Sequence, residues 1–178
     1  IDVYDILNLL DELVSKSMVI TTRIQGQETR YRLLETIRQY AQEQLTSSGH
    51  TDLFCQRHLD YYQKVAAKHE QASVVPDNGA WLTRLESEVD NIRAALNWSQ
   101  TTDPEAGLLL ANNLHRFWIH GYMNDGLFWL NRLLTKADSV TTAAKARALW
   151  VQGRLAYQTT DGEQALSLIE ESLALYQH

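Results

Sequence analysis

Helical periodicity extends over most of this chain of 178 residues. From Asp52 onward, apolar residues recur every three or four positions, which is the spacing of one face of an α-helix. The chain holds only two prolines, Pro76 and Pro104, and both stand at breaks between helical segments. A stretch this long with so few helix breakers predicts a series of packed helices for 49–178.

The first 48 residues follow a different pattern. A helical spacing of apolar residues predicts an amphipathic helix over about Asp5–Lys16. Two strand-like runs, Met18–Ile24 and Thr29–Leu33, flank the glycine-centred turn IQGQET and predict a hairpin. The second strand leads directly into a helix with an apolar face at Leu34, Ile37, Ala41 and Leu45. Helix, hairpin and helix, in this order, form the second half of a winged-helix domain. We therefore expect a partial winged-helix segment at 1–48, with the closing helix packed on its core.

A domain boundary is predicted at TSSGHTD, residues 46–52, which combines turn residues with a helix N-cap. The helical domain that follows is expected to begin with one long helix over about Asp52–Gln71, with a largely aromatic stripe of Phe54, His58, Tyr61, Tyr62 and Val65. A second helix is expected from Trp81 to beyond Leu96, since its apolar residues keep one helical spacing throughout.

Two tetratricopeptide-like helix pairs are predicted at 104–137 and 141–178. Gly153 and Ala165 fall where the two helices of the second pair cross closely, and an offset of 39 residues places Gly126 at the position equivalent to Ala165. This offset exceeds the usual repeat of about 34 residues, and the extra residues fall in a polar loop. The remaining packing positions are expected at Leu127, Leu130, Leu134, Leu149, Ala156, Leu166, Ile169 and Leu173.

One groove of this helical array is the predicted partner-binding site. The first helix of each pair lines the concave face of a tetratricopeptide array, so the register predicts the residues that line it. They are His115 and Trp118 with Leu108 and Ala111 beside them, followed by Arg147, Trp150, Arg154 and Tyr157. Aromatic side chains beside arginines are typical of peptide or small-ligand recognition. The alternative for the two tryptophans is that they fill gaps in the core.

Composition and charge limit the classes of function. The net charge is −6 and the pI is near 5.5, which argues against direct nucleic-acid binding. No apolar run reaches the roughly 18 residues that a membrane helix requires. The single cysteine, Cys55, precludes an internal disulfide and fits a reducing compartment, so we expect a cytoplasmic protein.

The residues that enzymes and metal sites use are not arranged for chemistry in this sequence. No GxxxxGK[ST] motif is present to hold a triphosphate, and the histidines do not have the spacing of metal ligands. We expect no enzymatic activity, no metal and no cofactor within this chain.

Three segments carry a family resemblance: YRLLETIRQYAQEQL at 31–45, RHLDYYQKVA at 57–66 and WLTRLESEVDNIRAALNWS at 81–99. Through them the chain resembles large bacterial transcriptional regulators of the LuxR and AfsR type, which belong to the STAND class of signal-transduction ATPases. The resemblance covers roughly Asp5–Ala137. It implies a P-loop ATPase module upstream that uses ATP or ADP, a winged-helix segment, sensor repeats, and a DNA-binding domain elsewhere.

The resemblance also implies a possible nucleotide sensor at the strand-to-helix junction. In the wider nucleotide-switch class, a Met-His-Asp motif contacts ADP at the start of the last winged-helix helix. Here Leu33, Leu34 and Glu35 occupy those three positions. Leu34 cannot donate a hydrogen bond to phosphate, whereas Glu35 keeps the acidic character. Glu35 is therefore a nucleotide-sensing candidate, with stabilisation of the helix N-terminus as the alternative.

These features predict a non-catalytic linker and sensor that binds an effector or partner protein on its repeats and relays that state to an upstream ATPase module. The chain begins at Ile1 and ends within a helical pattern, so we expect a fragment of a longer protein. One alternative is a docking scaffold without a nucleotide switch. Another is direct DNA binding by the helix Asp5–Lys16, which its acidic residues disfavour.

Overall fold

The structure, a computed structural model, describes residues 3–23, 29–72, 79–136, 141–159 and 162–177. Over these ranges the chain is mainly α-helical with one antiparallel β-hairpin, which confirms the predicted fold class. It divides into two compact units, Ile1–Asp52 and Leu53–His178.

In chain order the described elements are α1 (Val3–Ser15), β1 (Val19–Thr22), β2 (Arg30–Leu33), α2 (Glu35–Ser47), α3 (Thr51–Ala72), α4 (Ala80–Glu86), α5 (Val89–Thr102), α6 (Pro104–Asn113), α7 (His115–Ile119), α8 (Met123–Leu134), α9 (Thr142–Gln158) and α10 (Gly162–Tyr176). The two strands pair with Val19 opposite Leu33 and Thr22 opposite Arg30. Most of the predicted turn, residues 24–28, lies outside the described residues.

The first unit has little apolar core. Val19 is its one buried side chain among the described residues. The expected packing of α2 on this core is wrong, because no residue of α2 is buried and Leu34 is 40% exposed. The hairpin strands are four residues long, so they offer little apolar surface for a helix to cover.

The second unit begins with α3, whose buried face differs from the predicted aromatic stripe. Of the predicted stripe, Tyr62 is buried, whereas Phe54 and Tyr61 are exposed. Leu59 and Ala66, which were not predicted, are buried beside Tyr62. The buried residues are separated by three and four positions, as one face of a helix requires. The prediction is therefore correct for Tyr62 and wrong for Phe54 and Tyr61, which lie away from the buried face of α3.

The helix predicted to run on from Trp81 is two helices, α4 and α5, joined at Ser87 and Glu88. The Ser87 hydroxyl donates to the Arg84 carbonyl at 2.7 Å, which is a local bond that competes with the continuing helix. The Glu88 carboxylate accepts the Tyr62 hydroxyl of α3 at 2.6 Å. This turn therefore directs Glu88 toward α3.

A second break separates α6 from α7 at Leu114, whose backbone lies at φ −92° and ψ 8°. The Trp118 indole Nε1 donates across this break to the Ala111 carbonyl at 2.9 Å. Trp118 and Leu114 are both buried. The sharp turn therefore carries the indole into the core of the unit.

Glycines allow close helix contacts at positions that include Gly107, Gly126 and Gly153, and the sequence predicts this for Gly153. A Cβ at Gly153 would lie 2.8 Å from Ile169 Cγ1 and 3.1 Å from the Ala165 carbonyl oxygen. A Cβ at Gly126 would lie 2.6 Å from Trp118 Cγ. Three further residues that were predicted to pack between helices are buried: Leu130, Leu149 and Ala156.

The apolar face predicted for α10 is buried only in part. Ala165 and Ser172 are buried, and the Ser172 hydroxyl donates to the Ala146 carbonyl of α9 at 2.7 Å. Leu166 and Leu173, both predicted as packing positions, are 58% and 56% exposed. That prediction is wrong for this structure, because α9 covers only one side of α10.

We predict that Gly126→Ala lowers the free energy of unfolding of the second unit by about 2 kcal/mol, because the added methyl overlaps the Trp118 indole. All five tryptophans of the chain lie after residue 52, so tryptophan fluorescence during urea denaturation reports this unit. Gly162→Ala is the matched control. Its Cβ would meet nothing within 4 Å, and we expect no loss of stability. Equal effects of the two substitutions would contradict the close contact at Gly126.

Candidate partner-binding site

One face of α9 carries four of the predicted site residues, Arg147, Trp150, Arg154 and Tyr157. Their spacing of three, four and three positions keeps them on one side of the helix. Arg154 is exposed and its guanidinium lies 5.3 Å from the centre of the Trp150 ring, within range of a cation–π interaction. Tyr157 is 75% exposed. We call these four residues the α9 stripe.

Glu70, near the end of α3, reaches the α9 stripe from 77 residues away. Arg147 Nη2 donates to Glu70 Oε1 at 2.5 Å, and the two side chains are 38% and 26% exposed. Glu70 was not among the residues predicted from the sequence. In the sequence it is one of several polar residues late in a long helix, and no short-range motif relates it to Arg147.

His115, at the start of α7, completes the cluster. Its ring meets the Trp150 ring edge-on, with centroids 5.7 Å apart. The Nδ1 atom lies 3.7 Å from Glu70 Oε2, which is beyond hydrogen-bond distance. Within the described part of the chain, this buried Nδ1 has no hydrogen-bond partner. The structure thus brings His115 together with Glu70 and the α9 stripe.

The electrostatic surroundings of His115 favour the neutral imidazole. Burial is the largest effect and lowers the pKa of His115. The Glu70 carboxylate acts in the opposite direction, whereas the guanidiniums of Arg147, Arg154 and Arg116 lower the pKa further. Arg116, like Glu70, was not predicted from the sequence to act at this site.

Trp118 does not belong to the accessible surface of this site, which corrects its prediction as a partner-binding residue. It is fully buried, and Leu108 and Ala111 beside it are buried as well. A continuous helix would place all four of these predicted residues on one face, but the break at Leu114 separates Leu108 and Ala111 of α6 from His115 and Trp118 of α7. Trp118 takes the alternative role of a core residue, while Trp150 is half-buried on the α9 stripe.

Glu35 is the first residue of α2 and lies in the other unit. Its carboxylate pairs with Arg38 at 2.6 Å, and this hydrogen bond lowers the pKa of Glu35. Leu34 occupies the N-cap position without a side-chain capping bond. A carboxylate in the first helical turn interacts favourably with the helix dipole. A role in nucleotide sensing stays a prediction.

The chemistry available to the α9 stripe and its neighbours is recognition of charge and aromatic contact. Among the described residues, no group of three or more His, Cys, Asp or Glu side chains could hold a metal ion. Nor does any helix in those ranges combine the length and the apolar character needed to cross a membrane.

Curated proteins with sequence similarity to this chain are mycobacterial. Each of three is 39% identical over 155 residues, which cover 84% of this chain and 17% of the relative. All three bear the name "Putative HTH-type transcriptional regulator": Mb0914c of Mycobacterium bovis, and MT0914 and Rv0890c of two Mycobacterium tuberculosis strains. The chain therefore spans about a sixth of the length of these relatives. No protein-family model matches the chain, and no solved structure matches it.

We predict that the pKa of His115 lies below 6.5 in the folded protein, because burial and the nearby guanidiniums disfavour the imidazolium. Glu70→Gln should lower this pKa further, since the carboxylate is the group that favours protonation. NMR titration of the imidazole Cε1–H signal measures both values.

The His115→Gln variant identifies the signal by its loss. The pKa of His115 is lower in the folded than in the unfolded protein, so the free energy of unfolding should fall as the pH drops from about 6.5 to the folded pKa. This loss of stability should be smaller in His115→Gln. A wild-type pKa at or above 6.5, or a rise in Glu70→Gln, would contradict the described surroundings.

Proposed function

We propose that this chain is a non-catalytic regulatory part of an HTH-type transcriptional regulator, and that the α9 stripe receives its effector or partner protein. Two findings support the proposal. The chain is 39% identical over 155 residues to proteins named as such regulators. Its second unit also presents two arginines and two aromatic residues on one accessible helix face, which is typical of a protein recognition surface.

The finer proposal is a LuxR- or AfsR-type STAND regulator in which an ATPase module, the 1–48 segment and tetratricopeptide-like repeats act in series. The order of helix, hairpin and helix in α1 to α2 supports a winged-helix segment, and the helix pair α9–α10 supports a repeat. ATP or ADP would bind elsewhere in the parent, since this sequence contains no GxxxxGK[ST] motif.

Direct DNA binding by α1 is disfavoured by its charges. Lys16, the one basic residue at the end of the predicted recognition helix, pairs with Glu12 at 2.5 Å. Asp5 and Asp11 add two further carboxylates on the same helix. Carboxylates at a surface that meets phosphates oppose binding, so we assign DNA contact to another part of the parent protein.

The experiment is a transcription measurement on the full-length regulator. We expect deletion of its gene to change transcript levels at promoters that the protein occupies. Arg154→Glu in the full-length protein should reproduce the transcript change, because charge reversal blocks the proposed partner surface. Promoter occupancy should persist, since the DNA-binding part is intact. Chromatin immunoprecipitation and transcript quantification measure the two effects.

Arg132→Glu is the matched control, because Arg132 also lies 5.3 Å from an aromatic ring, that of Phe128, on α8. It should leave transcript levels unchanged. A parent protein that occupies no promoter, or equal effects of the two charge reversals, would contradict the proposal. The scaffold alternative predicts normal regulation after loss of ATP binding by the parent, whereas the STAND proposal predicts loss of regulation.

A further inference from the structure

We propose that the α9 stripe binds an acidic side chain of a partner polypeptide, which competes with Glu70 for Arg147. This inference rests on the proposed function and adds the chemical character of the partner. It combines three observations. Several guanidiniums surround His115, the Glu70 carboxylate pairs with one of them at Arg147, and Arg154 is exposed.

The charge balance of the cluster favours an anion. The charged groups that act on His115 are one carboxylate, Glu70, and the three guanidiniums of Arg116, Arg147 and Arg154. The chain as a whole carries a net charge of −6, so this grouping of guanidiniums around one carboxylate is a local feature. Within the part of the chain that the structure describes, Arg154 makes no ion pair and rests on the Trp150 ring. Its charge is thus available to a partner.

Glu70 shows which kind of anion fits. A carboxylate from a helix that is remote in sequence sits 2.5 Å from the Arg147 guanidinium and 3.7 Å from His115 Nδ1. An external carboxylate can adopt the same geometry, because planar guanidinium groups match carboxylates well. The Glu70 and Arg147 side chains are 26% and 38% exposed, so water already reaches the pair and an exchange of partners requires no opening of the core.

The shape of the surface favours a polypeptide over a small metabolite. Small-molecule sites enclose most of the ligand surface. Here Arg154 is exposed and Tyr157 is 75% exposed, one helical turn beyond it. An extended acidic segment can lay its carboxylates along the arginines while neighbouring side chains contact Trp150 and Tyr157.

The test uses the 178-residue chain and capped tetraglutamate, a peptide whose only charges are side-chain carboxylates. We expect saturable shifts of the Nε–H signals of Arg147 and Arg154 in NMR spectra at low ionic strength. Capped tetraglutamine and tetralysine should produce no saturable shift. Glutarate, a small dicarboxylate, should bind at least fivefold more weakly than tetraglutamate.

Variants assign the binding to the proposed residues. Arg154→Gln should weaken the tetraglutamate affinity at least fivefold, and Glu70→Gln should tighten it about fivefold by removing the competing carboxylate. Arg132→Gln is the matched control, since Arg132 stacks on Phe128 at the same distance of 5.3 Å. It should leave the affinity unchanged, which separates a local site from general attraction.

The proposal is overturned by equal losses in Arg154→Gln and Arg132→Gln, by glutarate binding as tightly as tetraglutamate, or by no saturable shift. Unchanged or weaker binding in Glu70→Gln overturns the competition. These outcomes are separable from failure of the proposed function. Transcription by the parent can respond to Arg154→Glu when tetraglutamate does not bind, and tetraglutamate can bind when the parent regulates nothing.

Discussion

The contact between the Trp118 indole and Gly126 is the constraint on which the second unit depends. A side chain at position 126 would overlap the indole, so α8 approaches α7 as closely as glycine permits. The indole hydrogen bond to Ala111 fixes the ring on the far side of the break at Leu114. With Trp118 held in the core, His115 at the other end of the same short helix meets Trp150 of α9.

This arrangement joins three parts of the second unit at one cluster. Glu70 comes from the end of α3, His115 from α7, and Arg147 with Trp150 from α9. A ligand that takes a guanidinium from Glu70 would therefore act on α3, α7 and α9 together. Such a junction is a physical means by which binding on the helices could reach the rest of a regulator, because coupling requires contacts that differ between the bound and free states.

The sequence predicted the parts of the fold that depend on local pattern. Regular apolar spacing was sufficient to predict that the chain is mainly α-helical. The close helix contact at Gly153 was predicted from a small residue within a helical pattern. The α9 stripe was predictable because α9 is one unbroken helix, so residue spacing alone fixes which side chains share a face.

The wrong predictions arise from backbone breaks and tertiary contacts, which the spacing of apolar residues in the sequence does not reveal. Trp118 was predicted in the groove because a continuous helix was assumed through Leu114. A side-chain hydrogen bond accompanies the break at Ser87, and the apolar spacing continues across it. Glu70 could not be assigned to the site from the sequence, since its role arises from tertiary contact with Arg147. Leu166 was expected to be buried, but it is exposed because α9 covers only one side of α10.

The central claim is that Glu70 and Arg147 are energetically coupled in the folded protein. A double-mutant cycle with Glu70→Gln and Arg147→Gln, read by tryptophan fluorescence in urea, tests it most directly. For a pair that is partly exposed we expect a coupling free energy of about 0.5–1 kcal/mol that decreases at high salt. Strictly additive effects of the two substitutions, with no dependence on salt, would contradict the claim.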